Sequence, residues 1–273
     1  MFQANSRSKD RMIYTVLILI CIIGFWVFEN FYIPDTYSTK EGKGLKTPIP
    51  NIYLPSSTTG VLIDHNHFTL SYNEPFEQAE WVAYILKREH LTQDDRKRPY
   101  FIEDPKIRTK SADWRNYKGS GYDRGHLCPA GDRRFSEQAY NETFYTSNIS
   151  PQDRDFNAGI WNRLEIQVRQ WSKRYGAVFV VTGGVLEDGL LEIGEEDVDV
   201  PKAYYKIVAR GDAENLKVIA FLMPAKETNE PLKRFVVSVD EIEQRTRIDF
   251  FEQLEANKEM TLEKKIETKD WKF

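Results

Sequence analysis

The sequence predicts an α+β domain with a central, mostly antiparallel sheet flanked by helices, preceded by one transmembrane helix. Three features predict it. An uncharged run, Met12 to Phe28, stands near the N-terminus. Three β-rich segments, 177–182, 203–209 and 217–223, follow one another in the second half. Around them, stretches with helical spacing alternate with short connections, and no internal repeat is visible.

The first element is the 17-residue run MIYTVLILICIIGFWVF. As a helix it spans about 25 Å, near the lower end for a bilayer crossing. Extension to Ile33 adds length and takes in Glu29. Arg7, Lys9 and Arg11 precede the run against one acid, Asp10, while Glu29 and Asp35 follow it. The positive-inside bias therefore predicts residues 1–11 in the cytoplasm and residues 12–33 as an uncleaved signal-anchor. It places the rest on the far side, the periplasmic side of a bacterial inner membrane, with the mitochondrial inner membrane as the alternative. A cleaved signal peptide needs small residues after the apolar run, and the sequence there, Glu29 to Pro34, is bulky.

Residues 34–60 mix Pro, Ser, Thr, Gly and Lys, as an extended linker would. The folded domain is expected over 61–256. Phe68 to Tyr72 is read as a strand, and Gln78 to His90 as an amphipathic helix carrying Trp81, Tyr84 and Leu86. The run AVFVVT, Ala177 to Thr182, ends in Gly183-Gly184 and is read as a strand. Residues 203–209, 217–223 and 235–239 give further strands and 240–256 a helix. The Lys/Glu-rich tail, 257–273, is expected to be a solvated or frayed helix. Cys21 lies in the apolar run and Cys128 deep in the soluble part, so no disulfide is expected.

Net charge is −4 over 273 residues, which gives no overall excess of base for binding nucleic acid. The distribution is more informative. Residues 96–134 hold 11 Lys/Arg against 5 Asp/Glu, the kind of local field a phosphate backbone needs. Residues 187–199 hold 7 acids and no base. They are read as a solvated loop, because the ligand spacing of a calcium loop is missing.

Three pieces carry candidate chemistry: Asp123-Arg124-Gly125-His126, Ser147 to Gln152, and Asn157 to Arg169. Asn157, Trp161, Glu165 and Arg169 are spaced by four. Each step drifts about 40°, so on a regular helix all four share one broad face. Alone this would be a solvated polar face, and a lone histidine is usually structural. Together they supply what phosphodiester hydrolysis requires. A neutral imidazole can take a proton from water near neutral pH. A divalent cation offsets charge on the phosphoryl oxygens, and cationic side chains hold the phosphate.

The segments GSGYDRGHLCPAGDRR and TFYTSNISPQDRDFNAGIWNRLEIQVRQW closely resemble the DNA/RNA non-specific endonucleases with the DRGH motif. The resemblance extends over roughly Tyr72 to Phe251, and VVTGGVL, VPKAYYKIV and TRIDFF are similar as well. It implies a ββα-metal core within the α+β domain. Residue by residue, it implies that His126 is the general base and that Asn157 is the sole direct protein ligand of Mg²⁺, for which Mn²⁺ can substitute. Glu165 would orient a metal-bound water, and Arg124 and Arg169 would contact the phosphate or stabilise the transition state. One oxygen ligand and many waters suit these ions, whereas zinc lacks a His/Cys cluster. Asp123 is read as a brace for the turn, Cys128 as core filler, Asn148 as a stitch between strand and helix, and Trp161 as a packing residue.

The sequence departs from the family pattern twice. Ile102 stands where relatives often have the Arg of an F-R-x-D segment, so the upstream phosphate contact falls to Arg98 or Arg108 or is absent. Arg247 stands where relatives often have Gly. The implied activity is hydrolysis of DNA and RNA to 5′-phosphate and 3′-hydroxyl ends. The partners are nucleic acid substrates and the membrane, with a homodimer as one option for assembly. The alternatives are a catalytically silent nucleic-acid-binding or scaffold protein on the same fold, and a phosphodiesterase for a non-nucleic substrate. The unbroken set His126, Asn157 and Glu165 favours the nuclease.

Overall fold

The computed structural model describes residues 4–31, 49–58, 60–212 and 214–273. Positions 32–48, which hold the end of the expected membrane span and most of the expected linker, lie outside the described residues. Two units form, Met1–Gly42 and Lys43–Phe273. The first contains α1 (Ala4–Phe31). Its stretch Lys9–Val27 has a mean hydropathy of 1.9 and no buried residue, so it is long and apolar enough to cross a membrane.

In the second unit the elements are β1 (Val61–Asp64), β2 (Thr69–Asn73), β3 (Gln78–Lys87), β4 (Asp123–His126), α2 (Glu137–Glu142) and β5 (Ile149–Gln152). Then come α3 (Arg154–Phe156), α4 (Asn162–Tyr175), β6 (Ala177–Gly184), β7 (Leu191–Ile193), β8 (Val198–Val200), β9 (Ala203–Arg210) and β10 (Lys217–Pro224). The last are β11 (Val236–Val237), α5 (Val239–Thr246) and α6 (Ala256–Glu263). Seven strands form one sheet in the order β1-β2-β3-β6-β9-β10-β11, while β4-β5 and β7-β8 pair separately. Every pair of strands is antiparallel.

The sheet is covered on both faces. Val82, Tyr84 and Leu86 of β3 meet Leu164, Val168 and Trp171 of α4 on one side. Trp81 and Ala83 meet Val239 and Ile242 of α5, with Phe250 and Phe251, on the other. Helix α4 starts near Glu165 and ends with Lys173 and Arg174, charges that complement its dipole. It stops at Gly176, whose φ of 92° continues no helix. The Ser172 hydroxyl donates to the Leu86 carbonyl at 2.8 Å and fixes the helix to β3.

The structure corrects several expectations. Gln78 to Lys87 is a strand, not a helix. It is central, with both faces buried, so the alternation that marks a half-exposed strand is absent. Trp81, Val82, Tyr84 and Ile85 suit a pleated surface better than a helix. The expected linker ends early, because Ile49, Tyr53 and Leu54 pack on the sheet and Tyr53 stacks on Phe179 at 4.8 Å. The expected helix over 240–256 breaks at Arg247, which takes a left-handed φ of 60° as the cap of α5. The tail is not solvated throughout: Trp271 is buried and lies 4.8 Å from Trp171. The acidic segment 187–199 folds into the β7-β8 hairpin, and Gln78 Nε2 donates to the Asp199 carbonyl at 2.7 Å.

Candidate active site

The DRGH tetrapeptide is β4 itself, paired with β5 in the register Asp123↔Gln152, Arg124↔Pro151, Gly125↔Ser150 and His126↔Ile149. The chain then enters α3, a π-turn over Asn157–Trp161, and α4. A hairpin followed by a helix is thus assembled from contiguous sequence. The motif glycine has a steric reason: a Cβ on Gly125 would stand 2.2 Å from Gln152 Oε1. Asn148 extends the pairing by accepting from Cys128 N at 2.8 Å and donating to the Cys128 and Thr143 carbonyls at 3.0 and 2.9 Å. Cys128 is fully buried, and burial pushes its thiol up to about 12, which leaves it inert filler.

His126 is half-buried. Its ring meets Phe144 edge-on at 4.9 Å and Phe101 at 5.6 Å. Nε2 is buried without a hydrogen-bond partner among the described residues. Burial, helped by the positive charge of Arg98, pulls the imidazole down to about 3, so it is neutral at physiological pH. Arg98 lies 5.5 Å from the Phe101 ring centre and 5.6 Å from that of Phe144. Arg124 lies 5.0 Å from Phe101 and 5.9 Å from Trp114. Among the described residues neither guanidinium makes a hydrogen bond or ion pair with a side chain or backbone group. Two cations are therefore held against one aromatic floor with their donors free for an anion. Arg108 is exposed on a turn closed by Lys110 N and the Ile107 carbonyl. Its neighbour Thr109 reaches Glu74 rather than this cluster. Ile102 contributes backbone only, accepting from Thr146 N at 2.9 Å.

Asn157 opens the π-turn, half-buried, with Nδ2 at 3.4 Å from Asp123 Oδ2. Its Oδ1 accepts no hydrogen bond among the described residues. Asp123 is braced in turn by Arg154 at 3.3 Å. Such single π-turns leave backbone groups out of the helical ladder and concentrate at functional sites. Here the Ile160 N–H is taken up by Glu227 Oε2 at 2.6 Å. The π-turn also breaks the regular spacing by four, so the four residues do not share one face. Trp161 is fully buried against Phe156 and Tyr204.

Glu165 and Arg169 form an i,i+4 pair at 3.1 Å, and Arg169 Nε reaches buried Asp132 at 2.5 Å. Burial works against the charge on Arg169, but Asp132 and Glu165 outweigh it and raise its pKa. Burial raises the Glu165 carboxyl, while Arg169 and Lys206 oppose that shift. Lys206 is wholly buried, 3.1 Å from Thr182 Oγ1 and 4.6 Å from the Trp161 ring centre. Burial lowers it to about 8. Arg169 is therefore committed to two carboxylates, and its geometry is that of a holder of Glu165.

Strand β4 links these parts. Asp123 touches Asn157, Arg124 and His126 line the aromatic floor, and Gly131 in the next turn lies under Arg169. Sequence reasoning did not find Phe101, Phe144, Asp132, Lys206 or Glu227. Asp132 stands within the motif segment, beside Arg133, and could have been weighed as a partner for a helix arginine. Glu227 carries no local signal.

The profile of the DNA/RNA non-specific endonucleases matches residues 46–257. Over 230 residues the chain is 35% identical to "Nuclease EXOG, mitochondrial" of Xenopus laevis, covering 78% of this chain and 64% of that protein. It is 36% identical to the Homo sapiens protein of the same name over 238 residues, 81% of this chain and 64% of the relative. With Homo sapiens "Endonuclease G, mitochondrial" it shares 33% over 201 residues, 67% of each chain. The chain thus spans slightly less than two thirds of the first two of these relatives. A chain in the crystal structure of the EndoG/EndoGI complex superposes with a TM-score of 0.67 at 31% identity, over 74% of this chain and 90% of that one.

Proposed function

The chain belongs to the DNA/RNA non-specific endonuclease family, and on that premise we propose that it is a metal-dependent endonuclease that cuts DNA and RNA to 5′-phosphate and 3′-hydroxyl ends. The observation that carries the reading is a neutral imidazole, His126, with a buried unpartnered nitrogen beside two unpaired guanidinia, Arg98 and Arg124. His126 takes a proton from the attacking water. Arg98 and Arg124 bind the phosphate through charge-assisted hydrogen bonds, with little regard to base sequence. Arg169 positions Glu165, and Asp123 orients the Asn157 amide.

The residues at the π-turn fit a divalent cation. Asn157 offers a free amide oxygen, and the carboxylate of Asp123 lies beside it. Such a sparse set of hard oxygens suits Mg²⁺ or Mn²⁺, which keep most of their waters. When bound, the ion would neutralise charge building on the scissile phosphate. Glu165, half-buried and held by Arg169, would help hold the hydrated ion.

Plasmid nicking by purified full chain in detergent, with Mg²⁺ and with EDTA, tests the reading. His126→Ala is expected to lower turnover by about 10²–10⁴ with an unchanged circular dichroism spectrum. Near wild-type cleavage by that variant would remove His126 as the base. Cleavage of small diesters without cleavage of DNA or RNA would favour the non-nucleic phosphodiesterase.

On the same reading helix α1, whose stretch Lys9–Val27 is long and apolar enough to cross a membrane, anchors the chain, with Lys9 and Arg11 on the cytoplasmic side. The mitochondrial designation of the relatives favours the mitochondrial alternative over the bacterial one. The periplasmic reading rests on the charge bias alone. Carbonate extraction and protease protection of the tagged chain separate anchored from soluble forms.

A further inference from the structure

We propose that Asp240, Glu243, Asp249, Glu259 and Glu263 bind one calcium-class divalent cation on the face of the sheet opposite the candidate active site. Asp240 and Glu243 are three apart on α5, Glu259 and Glu263 four apart on α6, and Asp249 lies in the connection between the helices. Like charges at these helical spacings repel, and here two such pairs are turned toward each other. Oxygens of Asp240, Glu243 and Glu263 lie within 4.8 Å of one another, as do those of Asp249, Glu259 and Glu263. Glu263 belongs to both groups.

The independent sign of a ligand is Glu263 itself. It is only 7% exposed, and its Oε1 is buried with no hydrogen-bond partner among the described residues. Among the described residues no lysine or arginine forms an ion pair with any of the five. The one neutralising contact is Phe250 N donating to Glu243 Oε1 at 2.9 Å. A buried carboxylate without a partner is costly, and natural proteins rarely retain one unless something binds it.

An all-carboxylate donor set selects a hard cation. Up to five carboxylate ligands, with the oxygens of each group within 4.8 Å of one another, suit calcium, which takes six to eight oxygens in flexible geometry, better than magnesium, which keeps most of its waters. Helices α5 and α6 pack on the Trp81 face of the sheet through Ile242 and Leu262, and α4 packs on the other face. The site is therefore separate from Asn157.

The test is calcium titration calorimetry on the EDTA-treated full chain in detergent, alongside thermal unfolding. Asn157→Ala, which removes the other proposed divalent site, is expected to retain one Ca²⁺ per chain with the affinity seen in the wild type. In Glu263→Gln affinity is expected to fall at least tenfold. At a hundredfold excess over the wild-type Kd, calcium is expected to raise the wild-type Tm by about 5 °C and that of Glu263→Gln by no more than about half as much. Asp249→Asn, an exposed position, gives the same loss of affinity without touching the core. No calcium binding by the wild type, binding undiminished in both variants, or loss of binding in Asn157→Ala would each overturn the proposal. Magnesium binding with no calcium binding would overturn it as well.

Discussion

At His126 the motif showed which residue to examine, and packing determines its character. The aromatic rings of Phe101 and Phe144 exclude water, and the Arg98 charge adds to the depression of the imidazole. Arg98→Met is expected to raise the His126 pKa toward its ordinary value, read from the imidazole Cε1 proton by NMR. An unmoved titration would show that Arg98 does not act on the ring. The sign for stability follows. Folded His126 binds fewer protons than unfolded His126 between about pH 3 and 6.5, so stability rises with pH across that window and is lost as pH falls through it. His67 and His90, each lowered to about 4 chiefly by burial and then by Arg133, act in the same direction. Thermal unfolding from pH 7 to pH 4 is expected to show a falling Tm, with a shallower slope in Arg98→Met. Arg169 was harder to read, because Asp132, the carboxylate that occupies it, stands 37 residues earlier in the chain.

At the scale of elements, the strands and helix around DRGH came from the resemblance: the residues themselves suggested a turn at Asp123, where the structure has a strand paired across α2 with β5. The π-turn before α4 was not legible. Spacing by four describes a regular helix, and the insertion is stabilised from outside by Glu227, 67 residues on. A Cβ on Gly159 would come within 1.8 Å of Glu227 Oε2. The carboxylate can swing away, but only by abandoning the Ile160 N–H. Gly159→Ala is therefore expected to cost about 1–3 kcal/mol and to lower nicking activity through a displaced Asn157. Wild-type Tm and activity in that variant would show that this bond does not hold the turn. Strand β3 failed for a different reason. Burial on both faces erases the two-residue period, and Trp81, Tyr84 and Leu86 then imitate a helical stripe.

For the whole molecule, the antiparallel sheet and its two covered faces were foreseen from the three β-rich runs. The order of the strands and the docking of the C-terminal segment were not. Lysine and glutamate dominate residues 257–273, yet Trp271, Lys272 and Phe273 decide where that segment lies. Trp171 Nε1 and Gln167 Nε2 both donate to the Lys272 carbonyl, at 2.7 and 3.1 Å. Trp271→Ala is expected to cost about 3–5 kcal/mol, a clear drop in Tm, and to reduce cleavage without any change near His126. Full activity at an unchanged Tm would show that the segment is dispensable. Lys272 follows Trp171 by 101 residues, so a growing chain makes the helix that bears Glu165 long before it makes the piece that seals it.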